Sequence, residues 1–145
     1  MAKYLFALSV LCIFGIAASL EKQETEDDLM SKMETCKTEA GATDADLKAI
    51  VAQNSSSTAE GKCLRSCLMK KYEMMTVNGT FVPDIALKYA ERYADGDAEK
   101  LKKAKEIVKS CARIKVSPDH CQAAEQYSKC LMKKAADRGL TQFKL

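Results

Sequence analysis

The sequence lacks the residue patterns on which most enzymes and metal sites depend. It contains a single histidine, His120, no C-x2-C pair and no G-x-S-x-G segment. Structural zinc sites combine such cysteine pairs with histidines, and nucleophilic catalysis needs a nucleophile beside a base. We therefore expect no enzymatic activity, no metal site and no cofactor.

A strong charge of one sign is also missing. The 23 basic and 20 acidic residues give a formal net charge of +3, and the two signs are mixed along the chain. A large basic patch is typical of proteins that bind nucleic acid, and clusters of Lys and Arg are typical of proteins held at anionic membranes. The sequence therefore favours neither nucleic acid nor a membrane as the main partner.

The N-terminus carries an apolar run that is too short to span a membrane. Lys3 precedes the run Tyr4–Ile16, and small residues follow it. A charged start, an apolar middle and a small-residue end are typical of a secretory signal peptide, whereas a membrane span needs roughly 20 apolar residues. We expect residues 1–19 to be a signal peptide that is removed, and residues 20–145 to form one secreted domain.

Helical periodicity and capping residues predict an all-α domain of six helices, and no segment shows the alternation of a strand. The first three predicted helices are Glu24–Ala40, Asp44–Gln53 with Thr43 as its cap, and a helix from a Ser57/Glu60 capping box to about Met75. The fourth is opened by Pro83, the fifth is capped by the segment Asp95–Asp97, and the sixth is capped by the segment Ser117–Asp119 and runs to Arg138.

The cysteine count predicts three disulfide bonds. Of seven cysteines, Cys12 lies in the predicted signal peptide, and an even number in a secreted chain indicates a disulfide framework. Cys63 and Cys67 share one face of the third helix, where the geometry does not allow them to bond each other. Cys121 and Cys130 lie on opposite sides of the sixth helix and face different neighbours. Six cysteines allow fifteen pairings in principle, and the sequence alone does not choose one.

The cysteine spacing of the mature chain, C-x26-C-x3-C-x43-C-x9-C-x8-C, resembles that of the insect odorant-binding proteins. The resemblance is to the six-cysteine group that includes pheromone-binding and general odorant-binding members, and it covers essentially the whole mature chain. It implies that the first cysteine pairs with the third, the second with the fifth and the fourth with the sixth. In this sequence those pairs are Cys36–Cys67, Cys63–Cys121 and Cys111–Cys130.

The resemblance implies a secreted carrier that reversibly binds a small hydrophobic molecule in a central apolar cavity and transports it to receptors. A helical shell closed by three disulfides can leave its interior unfilled. Methionine side chains are flexible, so they suit a site that accepts ligands of several shapes. Tyrosine hydroxyls would orient a polar group of the ligand. The candidate ligand-binding residues are Leu68, Met69, Met74, Met75, Phe81, Ile85, Tyr89, Tyr93, Val108, Tyr127, Leu131, Met132, Leu140 and Phe143.

Other functions of a small secreted helical domain stay open at this point. A saposin-like module that binds lipid or membranes also has six cysteines, although its spacing differs. A helical signalling ligand would contact its receptor directly and bind no small molecule. Within the carrier class, the cargo can be a hydrophobic ligand unrelated to smell, and the expected state is a monomer or a weak dimer.

Three local features have narrower interpretations. His120 is expected at the surface or in a helix cap, not as the switch for pH-dependent release. The short tail Thr141–Leu145 is expected to act as a lid or wall of the pocket. Asn54 and Asn78 each begin an N-x-S/T glycosylation sequon in a predicted loop.

Overall fold

The computed structural model describes residues 26–140, and within this range the chain is helical, without a strand. The predicted signal peptide and the tail Thr141–Leu145, which includes Phe143 and the predicted lid or wall, lie outside the described residues. The helices are α1 (Glu26–Ala40), α2 (Asp44–Val51), α3 (Ala59–Lys71), α4 (Pro83–Ala94), α5 (Ala98–Cys111) and α6 (His120–Asp137). The all-α fold class is confirmed.

Three helices begin at the caps that the sequence predicts. At α2 the Thr43 hydroxyl accepts from the backbone N–H of Asp46 at 3.3 Å, and the Asp46 carboxylate accepts from the N–H of Thr43 at 2.8 Å. Asp97 and Asp119 accept in the same way from the third residue of α5 and α6. Each cap satisfies backbone donors that have no partner inside the helix.

The predicted start of α3 is wrong by one residue. The cap is Thr58, whose hydroxyl oxygen accepts from the N–H of Gly61 at 2.9 Å, and Ser57 is exposed. The Thr58 hydroxyl also donates to the carboxylate of Asp46, which lies in α2. This bond selects Thr58 because it connects the first turns of two helices, whereas Ser57 offers only the local cap.

The predicted end of α3 is also wrong, because the helix stops at Lys71 and not near Met75. Glu73 has a positive φ of 56°, which a helix cannot continue through. Met75 then pairs with Phe81 in an isolated antiparallel bridge. The bridge returns the chain toward the interior and buries both side chains, so tertiary packing outweighs the helix propensity of the segment.

Helix α3 is the centre of the fold. It packs against α1, α2 and α6, while α5 packs against α4 and α6. The structure contains the three disulfides that the resemblance implies, Cys36–Cys67 between α1 and α3, Cys63–Cys121 between α3 and α6, and Cys111–Cys130 between α5 and α6. Their sequence separations of 19 to 58 residues correspond to roughly 3–4 kcal/mol each in the chain-entropy model.

The apolar interior formed by residues 26–140 is divided into three clusters. The first cluster comprises Met69, Met75, Phe81, Ala86, Val108, Ala123, Ala124 and Tyr127. The second cluster comprises Ala90, Ala104, Ile107, Cys111, Ala135 and Leu140. The third cluster comprises Met33, Cys36, Ile50, Leu64 and Leu68. Leu131 packs against both the first and the second cluster, whereas the third shares no buried residue with either. Most small domains have one continuous core, whereas here the core is interrupted between the third cluster and the other two.

Candidate ligand-binding site

Helix α4 is attached to the fold along one face. Among the described helices its backbone closely approaches α5 alone. The buried residues on this helix are Ala86, Ala90 and Ala94, whose small side chains allow close packing. The larger side chains of Ile85, Tyr89 and Tyr93 stay half-buried. Within residues 26–140 the backbone of α4 is therefore separated from those of α1 and α3, and we call the region between them, which side chains bridge, the α4 gap.

Side chains from three elements reach toward one another at the α4 gap. The ring of Tyr72, directly after α3, meets the ring of Tyr89 edge-to-face, with centroids 6.2 Å apart and an interplanar angle of 85°. The Nζ of Lys32 in α1 lies 4.8 Å from the centroid of the Tyr72 ring. The guanidinium carbon of Arg92 lies 5.9 Å from the centroid of the Tyr89 ring. Ile85 precedes Tyr89 by one turn and shares its face of α4.

The first cluster provides an aromatic and methionine-rich wall. The rings of Phe81 and Tyr127 stack with centroids 5.1 Å apart and an interplanar angle of 24°. The hydroxyl of Ser128 donates to the sulfur of Met69 at 3.8 Å. Helix α4 contributes Ala86 to this cluster, and Leu87 packs against it. The α4 gap thus lies between the first cluster and the third, which Tyr72 contacts.

The structure brings some of the predicted ligand-binding residues together and separates the others. Those in or packed against the first cluster are Met69, Met75, Phe81, Val108, Tyr127 and Leu131. Tyr93 and Leu140 belong with the second cluster, and Leu68 belongs to the third. Half-buried residues outside the three clusters are Met74, Ile85, Tyr89 and Met132. Phe143 lies outside the described residues.

Two open clefts lie elsewhere on the described surface. One, of about 630 Å³, lies between the loop after α2 and the outer face of α6, and of the predicted ligand residues it includes Met132 and Leu140. The other, of about 540 Å³, is lined by Ser66, His120 and charged residues of α1 and α3, with none of the predicted set. Both clefts are open to solvent and combine apolar residues with lysines, so neither encloses an apolar molecule as a buried ligand site does.

Sequence reasoning missed Tyr72 and a buried ion pair. The Nε of Arg65 lies 2.9 Å from a carboxylate oxygen of Glu125, and the second oxygen accepts from the N–H of Ser56. Burial lowers the pKa of Arg65, and the attraction of Glu125 opposes that effect. Glu125 lies one turn after Cys121 on the inward side of α6, so its position on a buried stripe was the available signal.

His120 and the two sequons lie at the surface. His120 is exposed, and its Nδ1 lies 2.9 Å from the hydroxyl of Ser66. Asn54 is exposed in the loop after α2, where its carbonyl accepts from Arg65 at 2.6 Å. Asn78 is exposed in the turn before Gly79. These positions are those of loops and helix ends.

Comparison with known proteins places these features in a family. The model of the PBP/GOBP family matches residues 18–134. General odorant-binding protein 28a of Drosophila melanogaster is 40% identical over 131 residues, which cover 90% of this chain and 92% of that protein. General odorant-binding protein 19d of the same fly is 31% identical and covers 94% and 91% of the two chains. No helix among residues 26–140 is long and apolar enough to cross a membrane.

Solved structures show the same fold. The structure of odorant-binding protein 28a from D. melanogaster matches with a TM-score of 0.71 at 44% identity, covering 77% of this chain and 93% of that one. Odorant-binding protein 1 of Locusta migratoria matches with a TM-score of 0.61 at 19% identity, covering 79% and 84%, which supports the fold alone. The six helices, the three disulfides and these matches together mean that the chain belongs to the PBP/GOBP family.

Proposed function

We propose that the protein is a carrier that binds a small hydrophobic molecule reversibly in the α4 gap and transports it through extracellular fluid. The family is one of carriers and not of enzymes, and its relatives of known structure are odorant-binding proteins. The observation that carries the proposal is the separation of α4 from α1 and α3. Since the disulfides hold α1, α3, α5 and α6 together, α4 does not need to pack against α1 and α3.

The residues around the gap suit an apolar ligand of variable shape. Met69 and Met75 are buried in the first cluster, where their flexible and polarizable side chains can rearrange around different ligands. Ile85 offers a half-buried aliphatic contact on α4. The stacked rings of Phe81 and Tyr127 add a rigid apolar surface. We assign the ligand contacts to these residues.

Affinity follows from the transfer of the ligand out of water. Each buried CH2 group contributes about 0.8 kcal/mol, so a ligand of about fifteen carbons retains roughly −8 kcal/mol after association costs of about 4 kcal/mol. That free energy corresponds to a dissociation constant of about 1 μM. Binding of this strength solubilises a hydrophobic molecule and still allows release within a useful time.

A displacement assay tests the proposal. The protein is expressed through the secretory pathway and titrated with the fluorescent probe N-phenyl-1-naphthylamine, and long-chain alcohols, esters, terpenoids and aromatics are then added as competitors. We expect saturable probe binding and displacement by a subset of the competitors at micromolar concentration. Native mass spectrometry of the freshly purified protein identifies any cargo that it retains. Failure of the probe and of every competitor to bind would contradict the carrier function.

The same proposal covers the secretion of the protein, its receptor and its oligomeric state. We infer that the chain is secreted after removal of residues 1–19, and that it passes its cargo to a membrane receptor as a monomer or weak dimer. Family members are typically secreted, which supports the first part. N-terminal sequencing of protein from the culture medium locates the cleavage point, and sedimentation of the same sample measures its oligomeric state.

A further inference from the structure

Four side chains form an unbroken series of ring contacts across the α4 gap. The series runs from Lys32 to the ring of Tyr72, then to the ring of Tyr89, and ends at Arg92. Each cation lies within about 6 Å of a ring centroid, the range in which a ring attracts a positive charge. The two rings meet edge-to-face, which is a favourable arrangement of aromatic quadrupoles.

This series joins α4 to two elements whose backbones do not approach it. Lys32 lies on α1, Tyr72 follows α3, and Tyr89 and Arg92 lie on α4. Among the described helices the backbone of α4 comes close to that of α5 alone, and the disulfides leave α4 without a covalent connection to another helix. The ring contacts therefore connect α4 to α1 and to the end of α3 through side chains.

The members of the series also lie nearer to solvent than the buried rings of the first cluster. Lys32, Tyr72 and Tyr89 are half-buried and Arg92 is exposed, whereas the rings of Phe81 and Tyr127 deeper in the fold are buried. The Tyr72–Tyr89 contact is therefore more accessible to solvent than the stacked rings of Phe81 and Tyr127. Side chains at this depth change rotamer without unfolding the helices that carry them.

We propose that Lys32, Tyr72, Tyr89 and Arg92 form a latch that gates the entry and release of the ligand at the α4 gap. The proposal rests on the carrier function and concerns the regulation of the same site. Separation of the Tyr72 and Tyr89 rings opens the path to the first cluster, and their contact closes it behind the ligand. The two cations stabilise the closed arrangement from its two ends.

A latch and a wall of the binding site affect the association and dissociation rate constants differently. A group that blocks the path slows association and dissociation by the same factor, so its loss speeds both rates and leaves the dissociation constant unchanged. A wall residue contributes to bound-state stability, so its loss speeds dissociation alone. Stopped-flow measurement of N-phenyl-1-naphthylamine binding to the secreted protein separates the two roles.

The test uses Tyr72→Leu and Tyr89→Leu, which keep apolar volume and remove the ring contact. From the strength of edge-to-face pairs, we expect both rate constants to rise between about 2-fold and 10-fold, with the dissociation constant within twofold of the wild type. Tyr72→Phe and Tyr89→Phe keep the rings and should retain wild-type rates. Lys32→Met and Arg92→Met should raise both rates by a smaller factor, and Lys88→Met on the exposed side of α4 should change neither.

A double variant completes the test. Because the two rings form one contact, Tyr72→Leu combined with Tyr89→Leu should be no faster than either single variant. Multiplied effects, a rise in the dissociation rate alone, or unchanged rates would overturn the latch while probe binding by the wild type still supports the carrier. If the leucine variants fail to fold, the same rate comparison is made with Lys32→Met and Arg92→Met. Absence of probe binding by the wild type would instead contradict the carrier function, and the latch with it.

Discussion

Arg65 of α3 and Glu125 of α6 form an ion pair inside the protein, with 8% and 3% of their side chains exposed and 2.9 Å between Nε and the carboxylate oxygen. The pair also holds the loop after α2, because Glu125 accepts from the N–H of Ser56 and Arg65 donates to the carbonyl of Asn54. One interaction therefore ties together three segments that are distant in sequence.

Removal of one partner from this pair should destabilise the protein strongly. Arg65→Met leaves the carboxylate of Glu125 buried without its main partner, and we expect a loss of about 3 kcal/mol in the free energy of unfolding. Arg65→Met combined with Glu125→Leu should recover a large part of the loss, because no buried charge remains. Urea denaturation measures these values. Lys133→Met, which breaks an exposed ion pair with Asp137, should change stability by less than about 0.5 kcal/mol and serves as the control.

The carboxylate of Asp46 should make stability depend on acid pH. Hydrogen bonds, first from the Thr58 hydroxyl and then from Thr43, hold the pKa of Asp46 below its ordinary value of 3.8. A lowered pKa in the folded state stabilises the protein above the unfolded pKa, and this stabilisation is lost as the pH falls through the folded value. Asp46→Asn should therefore reduce the free energy of unfolding by a constant amount above about pH 5, and by progressively less below pH 3.8.

Denaturant unfolding of both proteins from pH 2 to pH 7 checks this window. Asp84→Asn changes an exposed aspartate in the first turn of α4 and is the matched control. The lowered pKa of Asp46 requires the difference in free energy of unfolding between wild type and Asp46→Asn to shrink as the pH falls. A difference that grows instead would contradict the lowered pKa.

Gly79 should tolerate a side chain less well than Gly96, although both have positive φ. A Cβ at Gly79 would lie 3.1 Å from the backbone Cα of His120, whereas a Cβ at Gly96 would meet nothing within 4 Å. Both alanine variants bear the cost of a left-handed conformation, of order 1 kcal/mol. We expect Gly79→Ala to be more destabilising than Gly96→Ala by at least about 1 kcal/mol, because the backbone of α6 cannot yield easily. Thermal unfolding compares the pair, and equal melting temperatures would show that the turn relaxes.

A charge placed in the α4 gap should abolish ligand affinity without unfolding the protein. Ile85 is half-buried on the side of α4 that carries Tyr89, so Ile85→Lys can direct its ammonium group to solvent in the free protein. A ligand that fills the gap would bury this charge, and we expect the dissociation constant for N-phenyl-1-naphthylamine to rise at least about tenfold. Val77→Lys, at a side chain that is 80% exposed, should bind as the wild type does. Equal affinities in the two variants would place the ligand elsewhere.

The helices and most of their caps could be predicted because their causes are local. Thr43, Asp97 and Asp119 each bond a backbone N–H three residues later, so a short stretch of sequence contains both partners. The start of α3 could not be predicted in this way. Thr58 is selected over Ser57 by its bond to Asp46, twelve residues earlier in another helix.

The candidate site was predictable in composition but not in arrangement. Met69, Met75 and Phe81 were among the apolar residues named as ligand-binding candidates, and they meet in the first cluster. Periodicity could not separate them from Leu68, which packs in the third cluster, because a helix position fixes a direction and not the neighbour found there. Tyr72 was missed because its contact with Tyr89 depends on where α3 ends.

The sequence by itself determined the six helices, because propensity, capping and periodicity act over a few residues. Its cysteine spacing also carried the resemblance to the family, which implied the three disulfide pairs found in the structure. Only the tertiary structure decided that Arg65 and Glu125 are paired inside, that α3 ends at Lys71, and that α4 stands apart from α1 and α3. Each of these results from contacts between distant segments, whose free energy exists only when the whole chain is folded.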